Sequence, residues 1–241
     1  MPLLRRRRTP RVPPAPQAVE AGRGRRQRPL ALVTGFDAFC GESINPSWQV
    51  CEQLPSEIGG VRVVTRRVPC EFRRAIEVVA EAIERERPSI VICLGQAGGR
   101  AHLSVERVAI NVDDARAEDN AGNRPIDEPI AAMGPAAYFA TLPIKAMVQA
   151  MRAAGVPAEI SNSAGTFVCN HVMYGVLHYV ASTAPATRAG FIHVPYAEEQ
   201  VLDKPAIAAM SVTTMLKGIE AAIVAAVTHD TDLKVEGGAL D

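Results

Sequence analysis

The sequence lacks the features that mark a membrane protein or a nucleic-acid-binding protein. No stretch approaches the roughly 18 apolar residues of a membrane-spanning helix. Lys and Arg number 26, as do Asp and Glu, so the overall charge favours neither a nucleic-acid binder nor an acidic scaffold. Disorder throughout is excluded, because 241 residues of 48% hydrophobic content can bury one core of ordinary size.

Sequence signatures of metal sites, disulfide frameworks and export are also missing. The chain contains neither an HExxH nor a CxxC motif, so structural zinc is not expected. An odd number of widely spaced cysteines in a chain of this size argues against stapling by disulfides and for a reducing compartment. The N-terminal region has no apolar segment that could serve as a secretory signal, and we therefore expect a cytoplasmic location. The five cysteines are Cys40, Cys51, Cys70, Cys93 and Cys169.

The positive charge is concentrated at the N-terminus. Residues 1–29 contain nine arginines and one acid, giving +8, and the rest of the chain carries the compensating −8. The segment is rich in Arg and Pro and poor in large apolar residues, so we expect a disordered tail at 1–29 and a single domain at 30–241. An arm that binds nucleic acid or an anionic surface is the alternative.

Short apolar runs alternate with helical patterns along the domain, which is typical of βαβ organisation. The pattern predicts a three-layer α/β/α sandwich around a twisted, mostly parallel mixed sheet. An extended segment at 103–112 contains Glu106 among apolar residues, and a polar loop of unusual length follows at 114–136. The predicted strands are 30–34, 61–68, 90–94, 103–112, 158–161 and 190–194, and the predicted helices are 47–54, 72–87, 143–154, 169–181 and 208–227.

The glycine-rich segment 95–99 follows a buried strand but does not fit a dinucleotide-binding loop. That fingerprint needs glycine at its first, third and sixth positions and a helix after it, whereas Ala97 occupies the third position and a strand follows. We expect a tight turn that lets the backbone approach a neighbour or a ligand.

Cys169 is the best candidate for a nucleophile. Small and turn-prone residues at 162–166 lead into a helix that begins at or near Cys169. Free backbone N–H groups and the helix dipole favour a thiolate there, so we expect a lowered pKa. A buried structural cysteine is the alternative.

A nucleophilic thiol needs a base, and the base needs an orienting group. His193 lies at the end of a predicted apolar strand, where α/β sheets present ligands. Glu106 lies among apolar residues and must be paired if it is buried, and an imidazole N–H would satisfy it. The alternatives are a core histidine at position 193 and an ion pair of Glu106 with Arg107 or another cation. The remaining candidate bases, His102, His178 and His229, are less well placed.

At these positions the sequence strongly resembles type I pyroglutamyl peptidases, also called pyrrolidone-carboxylate peptidases, over residues 30–228. The resemblance rests on several long motifs in the right order: VTGFDxF at 33–39, GESINPSW at 41–48, GQAGGR at 95–100, ERVAIN at 106–111, GPAAY at 134–138, AGTFVCNH at 164–171 and GFIH at 190–193.

The resemblance implies a cysteine peptidase that removes N-terminal pyroglutamate from peptides, with Glu106, Cys169 and His193 as its triad. It implies no metal and no cofactor, and a homo-oligomer, either a dimer or a tetramer. Arg116 is implied as the stabiliser of the oxyanion. The implied pocket for the lactam ring comprises Phe36, Phe39, Phe167 and Val168, with Asn45 and Gln96 as polar contacts.

Three residues depart from the family pattern, and two other functions compete. Ala38 and Cys40 stand where the family usually has Pro and Gly, and Cys70 stands where it often has Thr. These changes would affect the first loop and the pocket rather than the triad. The rivals are a silent binding domain whose tail contacts phosphates and a phosphorylase-like enzyme whose glycine loop holds phosphate.

Overall fold

The computed structural model describes residues 28–238. The expectation of a disordered tail at 1–29 therefore falls almost wholly outside the described residues. Within 28–238, no helix has both the length and the apolar composition needed to cross a membrane.

Nine strands, five α-helices and one short 3-10 helix make up the described chain. The strands are β1 (Leu30–Phe36), β2 (Glu57–Ile58), β3 (Val61–Val68), β4 (Ile90–Gln96), β5 (Leu103–Glu106), β6 (Val108–Ile110), β7 (Ala137–Phe139), β8 (Ala158–Ser161) and β9 (Arg188–Val194). The helices are α1 (Pro46–Gln53), α2 (Arg74–Glu86), α3 (Ile144–Ala153), α4 (Val168–Thr183) and α5 (Val212–Thr228), and the 3-10 helix is Glu198–Val201.

Seven of the strands form one mixed sheet in the order β2-β3-β1-β4-β9-β5-β8. The pairings β2–β3 and β5–β9 are antiparallel, and the other four are parallel. The predicted mostly parallel mixed sheet is confirmed.

The helices cover both faces of this sheet, as a parallel sheet buried on both sides requires. Helices α1, α3 and α5 pack together on one face, with Ile92 and Leu94 of β4 beneath them. Helices α2 and α4 pack on the other face, over Val91 and Cys93 of β4 and Phe191 of β9. Alternate residues of the central strands thus supply two separate apolar cores.

The clearest error in the sequence-based reading is the single strand at 103–112. The chain leaves the main sheet after Glu106, and β6 pairs instead with β7 in a separate two-stranded sheet that the sequence did not predict. Arg107 is the break: its N–H still bonds to Ser161 on β8, whereas its carbonyl accepts from Ala140 beyond β7.

Helix α5 begins at Val212 rather than at 208, because the hydroxyl of Ser211 accepts a hydrogen bond from the Thr214 N–H and caps the helix. The other predicted helices and main-sheet strands agree with the structure to within two residues. The short strand β2 and the 3-10 helix had no usable sequence signal.

The carboxyl ends of β1 and β4 diverge. Their ladder stops at the pair Thr34 and Cys93, although both strands continue for two or three more residues. From β1 the chain crosses to β3 on one side, and from β3 it returns to β4 on the other, so this is the point where the strand order reverses. Open α/β sheets bind ligands in the crevice at such a point.

Glycine at position 35 is required by the packing of α1 against β1. A Cβ there would lie 2.5 Å from the Ser47 carbonyl oxygen and 2.8 Å from the Trp48 Cα, and these backbone atoms cannot give way cheaply. We predict that Gly35→Ala lowers the free energy of unfolding by about 1–3 kcal/mol, measured by urea denaturation. Gly238→Ala is the matched control, because a Cβ there meets nothing within 4 Å. An unchanged urea midpoint for Gly35→Ala would contradict this account.

Candidate active site

Glu106 and His193 form a buried hydrogen-bonded pair between adjacent strands. The Glu106 side chain has no exposed surface, and its Oε1 lies 2.7 Å from His193 Nδ1. The antiparallel pairing of β5 with β9 brings the two residues together. Because an ionised carboxylate can only accept, His193 Nδ1 carries the donated proton, which leaves Nε2 as the acceptor nitrogen of the neutral ring. This is the tautomer that a general base needs.

Cys169 is the second residue of α4, as the sequence predicted. Its sulfur lies over the β4–β9 pair: a Cβ at Gly95 would lie 2.8 Å from Cys169 Sγ, and Gly95 is the register partner of His193. The same Cβ would lie 2.7 Å from the Phe191 ring. Glycine at 95 therefore makes room for the thiol beside the histidine, which is the close approach expected of the glycine-rich turn.

The expectation of a lowered pKa at Cys169 is wrong for the unliganded protein. Burial is the largest influence and raises the pKa of the Cys169 thiol to about 12, the Glu106 carboxylate raises it further, and the Arg100 guanidinium opposes the rise. The start of α4 favours the thiolate, but this is too little to offset the loss of solvation. A thiol whose pKa is raised in this way needs a base to remove its proton.

Arg100 is a residue of the site that the sequence analysis missed. Its guanidinium NH1 lies 2.9 Å from Glu106 Oε1, the oxygen that also binds His193. Burial raises the pKa of Glu106, but the hydrogen bonds and positive charge of His193 and Arg100 outweigh it and hold the pKa below its usual value. The carboxylate therefore keeps its charge at neutral pH. The signal was Arg100 itself, a cation at the end of the glycine-rich turn and shortly before β5.

A second buried histidine, His171, cannot act as a base in this arrangement. Its Nδ1 lies 2.7 Å from Asp113 Oδ2, and its Nε2 accepts a hydrogen bond of 2.7 Å from the Arg73 N–H. Both ring nitrogens are thus engaged in tying α4 to the long loop and to the start of α2. His193 differs, because its Nε2 has no hydrogen-bond partner among the described residues.

Aromatic rings surround the start of α4. The Phe167 ring centroid lies 6.2 Å from that of Phe39 and 5.4 Å from that of Phe72, with Phe72 edge-on. Phe36 packs on Phe191, which in turn lies under the His193 ring at 4.9 Å. The structure thus brings the predicted residues Phe36, Phe39 and Phe167 into one apolar cluster with the fully buried Val168.

The two predicted polar contacts are both engaged within the protein. Asn45 caps α1 through its Oδ1, which accepts from the Ser47 N–H, and its Nδ2 donates to the Asp37 carbonyl. The Gln96 side chain accepts a hydrogen bond from Gln200. The peptide group of Gln96 is better placed for a ligand: Ala97 N–H bonds to β9, so by strand alternation the N–H and C=O of Gln96 face the crevice beside β1. Contact of either residue with a ligand stays a prediction.

Arg116 lies exposed on the long loop and pairs with no described residue. The loop nevertheless approaches the nucleophile. The Asp114 N–H bonds to the Thr166 carbonyl, the Thr166 hydroxyl donates to the Asp114 carbonyl at 2.7 Å, and Ala115 is buried in the aromatic cluster. The chain is thereby pinned two residues from Arg116 and three from Cys169. The role of Arg116 at an oxyanion stays a prediction.

The residues that depart from the family pattern lie in the loop after β1 and beside the aromatic cluster. Cys40 is exposed with φ 51°, a left-handed conformation that glycine adopts without strain. Cys70 is buried among the aromatic rings. Asn120 of the long loop bonds to the carbonyls of Ala38 and Cys70, so both positions touch the loop that carries Arg116.

A thiol at a helix start, an imidazole with its acceptor nitrogen free, and a buried carboxylate that orients the imidazole define a cysteine hydrolase on an α/β/α sandwich.

Comparison with known proteins identifies the family. A family model described as "Pyroglutamyl peptidase" matches residues 30–229. The chain is 54% identical over 209 residues to a pyrrolidone-carboxylate peptidase of Alkaliphilus oremlandii, covering 87% of this chain and 98% of the relative. Identity to the pyrrolidone-carboxylate peptidase of Escherichia fergusonii is also 54%, over 86% and 97% of the two chains.

Solved structures with the same family names are also similar to this chain. Pyroglutamyl peptidase I from Bacillus amyloliquefaciens superposes with a TM-score of 0.85 at 42% identity, covering 87% of this chain and 100% of that chain. A mutant pyrrolidone carboxyl peptidase from Pyrococcus furiosus gives a TM-score of 0.80 at 42% identity, over 83% and 98% of the two chains. The chain belongs to the pyroglutamyl peptidase family, whose members are cysteine peptidases that remove N-terminal pyroglutamate.

Glu106 has two opposed effects in this arrangement, and Glu106→Gln separates them. The substitution removes a charge that raises the pKa of Cys169, so alkylation of Cys169 by iodoacetamide at pH 7 should accelerate, by about tenfold for each unit by which the pKa falls. Peptidase turnover should fall by about 10²–10⁴-fold, because His193 loses the group that fixes its tautomer.

Alkylation is followed by mass spectrometry of the peptide containing Cys169, since Cys40 is also exposed. Glu77→Gln, an exposed carboxylate on α2, is the control and should change neither rate. Slower alkylation of Glu106→Gln, or unimpaired turnover, would count against the assigned geometry.

Proposed function

We propose that Cys169, His193 and Glu106 carry out the removal of N-terminal pyroglutamate from peptides by this protein. The observation that carries the assignment is the Glu106–His193 pair, which leaves Nε2 of His193 free to accept a proton. His193 is the register partner of Gly95, and the Cys169 sulfur lies directly over Gly95. His171 has no free nitrogen among the described residues, and Cys51, Cys70 and Cys93 are buried, whereas Cys169 is only partly buried.

The reaction begins with proton transfer from the Cys169 thiol to His193 Nε2. The sulfur then forms a bond to the pyroglutamyl carbonyl carbon, and the oxygen becomes an oxyanion. When this intermediate collapses, the peptide amine leaves with the proton from His193 and a thioester remains. Water, deprotonated by His193, adds to the thioester and releases pyroglutamate and the thiol. Glu106 stays ionised throughout and stabilises the imidazolium.

The oxyanion needs donors, and the start of α4 offers them. The first intrahelical bond runs from the His171 N–H to the Phe167 carbonyl, so the Cys169 N–H is not used inside the helix. Arg116, on the loop pinned to Thr166, is proposed to add a positive charge. Backbone donors and a cation directed at developing charge are the usual means of stabilising such an intermediate.

The aromatic cluster suits a flat, uncharged lactam ring. Ring faces of Phe39 and Phe167 supply apolar contact, and the peptide group of Gln96 offers both a donor and an acceptor for the amide of the ring. A glutamyl or prolyl residue brings a charged amine and leaves the crevice groups unpaired, which costs several orders of magnitude in rate.

Assembly and location are further proposals. We infer a dimer or tetramer, which is supported by large apolar side chains that stand exposed in the described region: Ile126, Met133, Phe139 and Leu202. A cytoplasmic location is also inferred, and the odd number of widely spaced cysteines supports it.

The activity is tested by release of a fluorogenic amine from its pyroglutamyl, glutamyl and prolyl amides in the presence of a reductant. We expect turnover of the pyroglutamyl amide alone, lowered by at least about a thousand-fold in Cys169→Ala. Turnover should be independent of phosphate, which separates this function from a phosphorylase-like one. A folded, reduced sample without turnover would refute the assignment and favour a silent binding domain.

The proposed part of Arg116 is tested by Arg116→Ala. Because the guanidinium would act on charge that develops only in the transition state, kcat should fall by about 10–100-fold with little change in KM. Arg85→Ala on α2, whose guanidinium pairs with Glu86 on the surface, is the control. A change confined to KM would show instead that Arg116 binds the substrate in its ground state.

A further inference from the structure

A chain of two buried hydrogen bonds joins the end of β4 to the segment after β9. Gln200 Oε1 accepts from the Ala197 N–H at 3.0 Å, and Gln200 Nε2 donates to Gln96 Oε1 at 3.0 Å. Gln200 lies in the 3-10 helix and retains 6% of its surface, and Gln96 retains 8%. Nothing in the triad uses these two side chains.

The backbone fixes the direction of the whole chain. The Ala197 N–H can only donate, so the atom of Gln200 that faces it must be the oxygen. The nitrogen of Gln200 therefore faces Gln96, and the atom of Gln96 that receives it must also be the oxygen. The Gln96 amide is thus held in one orientation rather than free to flip.

Gln96 occupies the position where this restraint affects the crevice. Its side chain shares a sheet face with Leu94 and Ile92, whereas Gly95 faces Cys169 and Phe191 on the other side. Its peptide group lies in the plane of the sheet and faces the opening beyond the Thr34–Cys93 pair, where β1 no longer supplies hydrogen bonds. Anchoring the side chain from one face therefore fixes the peptide group at the crevice.

The anchor is itself held in place. The Gly98 backbone is in close contact with the Tyr196 ring, which a Cβ at position 98 would overlap. The 3-10 helix is linked to α1 by the exposed hydrogen bond from Gln49 Nε2 to Glu199 Oε1, 2.8 Å long. Gln200 is buried within the 3-10 helix, and its side chain bonds directly to Gln96 at the end of β4.

We propose that Gln200 is a positioning residue for lactam recognition, which acts by holding Gln96 so that its peptide group meets the amide of the ring. This proposal rests on the proposed function, because it takes the ring of pyroglutamate as the occupant of the crevice. Gln200 touches neither the sulfur nor the imidazole, so its loss should weaken binding of the ring and leave the chemistry of the triad intact.

Gln200→Leu removes both hydrogen bonds and keeps a side chain of similar size. We expect KM for the pyroglutamyl amide to rise by about tenfold, with kcat changed less than about twofold. A readout without turnover uses 2-pyrrolidone, the lactam ring alone, to protect Cys169 from iodoacetamide. The concentration for half-protection should rise by the same factor, and the alkylation rate without 2-pyrrolidone should not change.

Action through Gln96 is tested by combining variants. Gln96→Leu, Gln200→Leu and the double variant should all raise the half-protection concentration by similar factors, because each breaks the same link. Gln200→Glu, which can accept from Ala197 and donate to Gln96 when protonated, should restore protection as the pH is lowered toward 5. Gln49→Ala, which breaks only the exposed bond to the same 3-10 helix, should behave like the wild type.

Additive effects of the two leucine variants, an unchanged KM, or slower alkylation of Cys169 without 2-pyrrolidone would overturn the proposal. If Gln200→Leu does not fold, the pH-dependent rescue by Gln200→Glu still decides between positioning and general stability. If 2-pyrrolidone does not protect the wild type, lactam recognition fails and this proposal fails with it. Protection of the wild type with unchanged protection of the folded variants would refute the role of Gln200 alone.

Discussion

The charge of Glu106 has to be compensated inside the protein, because its side chain has no exposed surface. One oxygen meets both the His193 imidazole and the Arg100 guanidinium. Such an arrangement keeps the carboxylate ionised and fixes the imidazole with Nε2 as its acceptor nitrogen. The same charge adds to the effect of burial in raising the pKa of the Cys169 thiol, so the group that orients the imidazole also disfavours the thiolate.

The placement of Glu106, His193 and Cys169 depends on several features of the surrounding fold. The antiparallel pairing of β5 with β9 breaks the parallel order of the sheet, and it is this pairing that places Glu106 beside His193. Glycine at 95 lets the start of α4 approach the sheet so closely that the Cys169 sulfur lies over Gly95, the register partner of His193. The divergence of β1 from β4 beyond the pair Thr34 and Cys93 then leaves a crevice at the carboxyl ends of these two strands. The residues of the proposed triad thus come from two neighbouring strands and the start of α4.

Much of this could be predicted from the sequence, and the failures have physical causes. Parallel strands buried on both faces appear as continuous apolar runs, and α2 shows a clear amphipathic repeat, so these elements were predictable. The break at Arg107 was not, because Val108 and Ile110 continue the alternation of β5 although they pair elsewhere. The 3-10 helix carries no periodic signal, so Gln200 could not be placed.

The sequence suggested which residues form the proposed triad, but it did not indicate their pKa values. The predicted start of a helix near Cys169 pointed to this residue as a nucleophile. The family resemblance pointed to Glu106 and His193 as its partners. The pKa of the thiol depends on how deeply the sulfur is buried and on a carboxylate 63 positions away in the chain, and neither is visible in a sequence. The involvement of Arg100 likewise depends on a turn that brings it back over Glu106.

We propose that the Cys169 thiol, whose pKa burial raises, is neutral in the free protein and loses its proton to His193 only during the reaction. This proposal is tested most directly by the ultraviolet absorbance of thiolate, taken as the difference between the wild type and Cys169→Ser across a pH titration. The account predicts no thiolate signal from Cys169 at neutral pH and a rise only in strongly alkaline solution. A difference signal that is already complete at pH 7 would contradict it and would show a preformed thiolate–imidazolium pair.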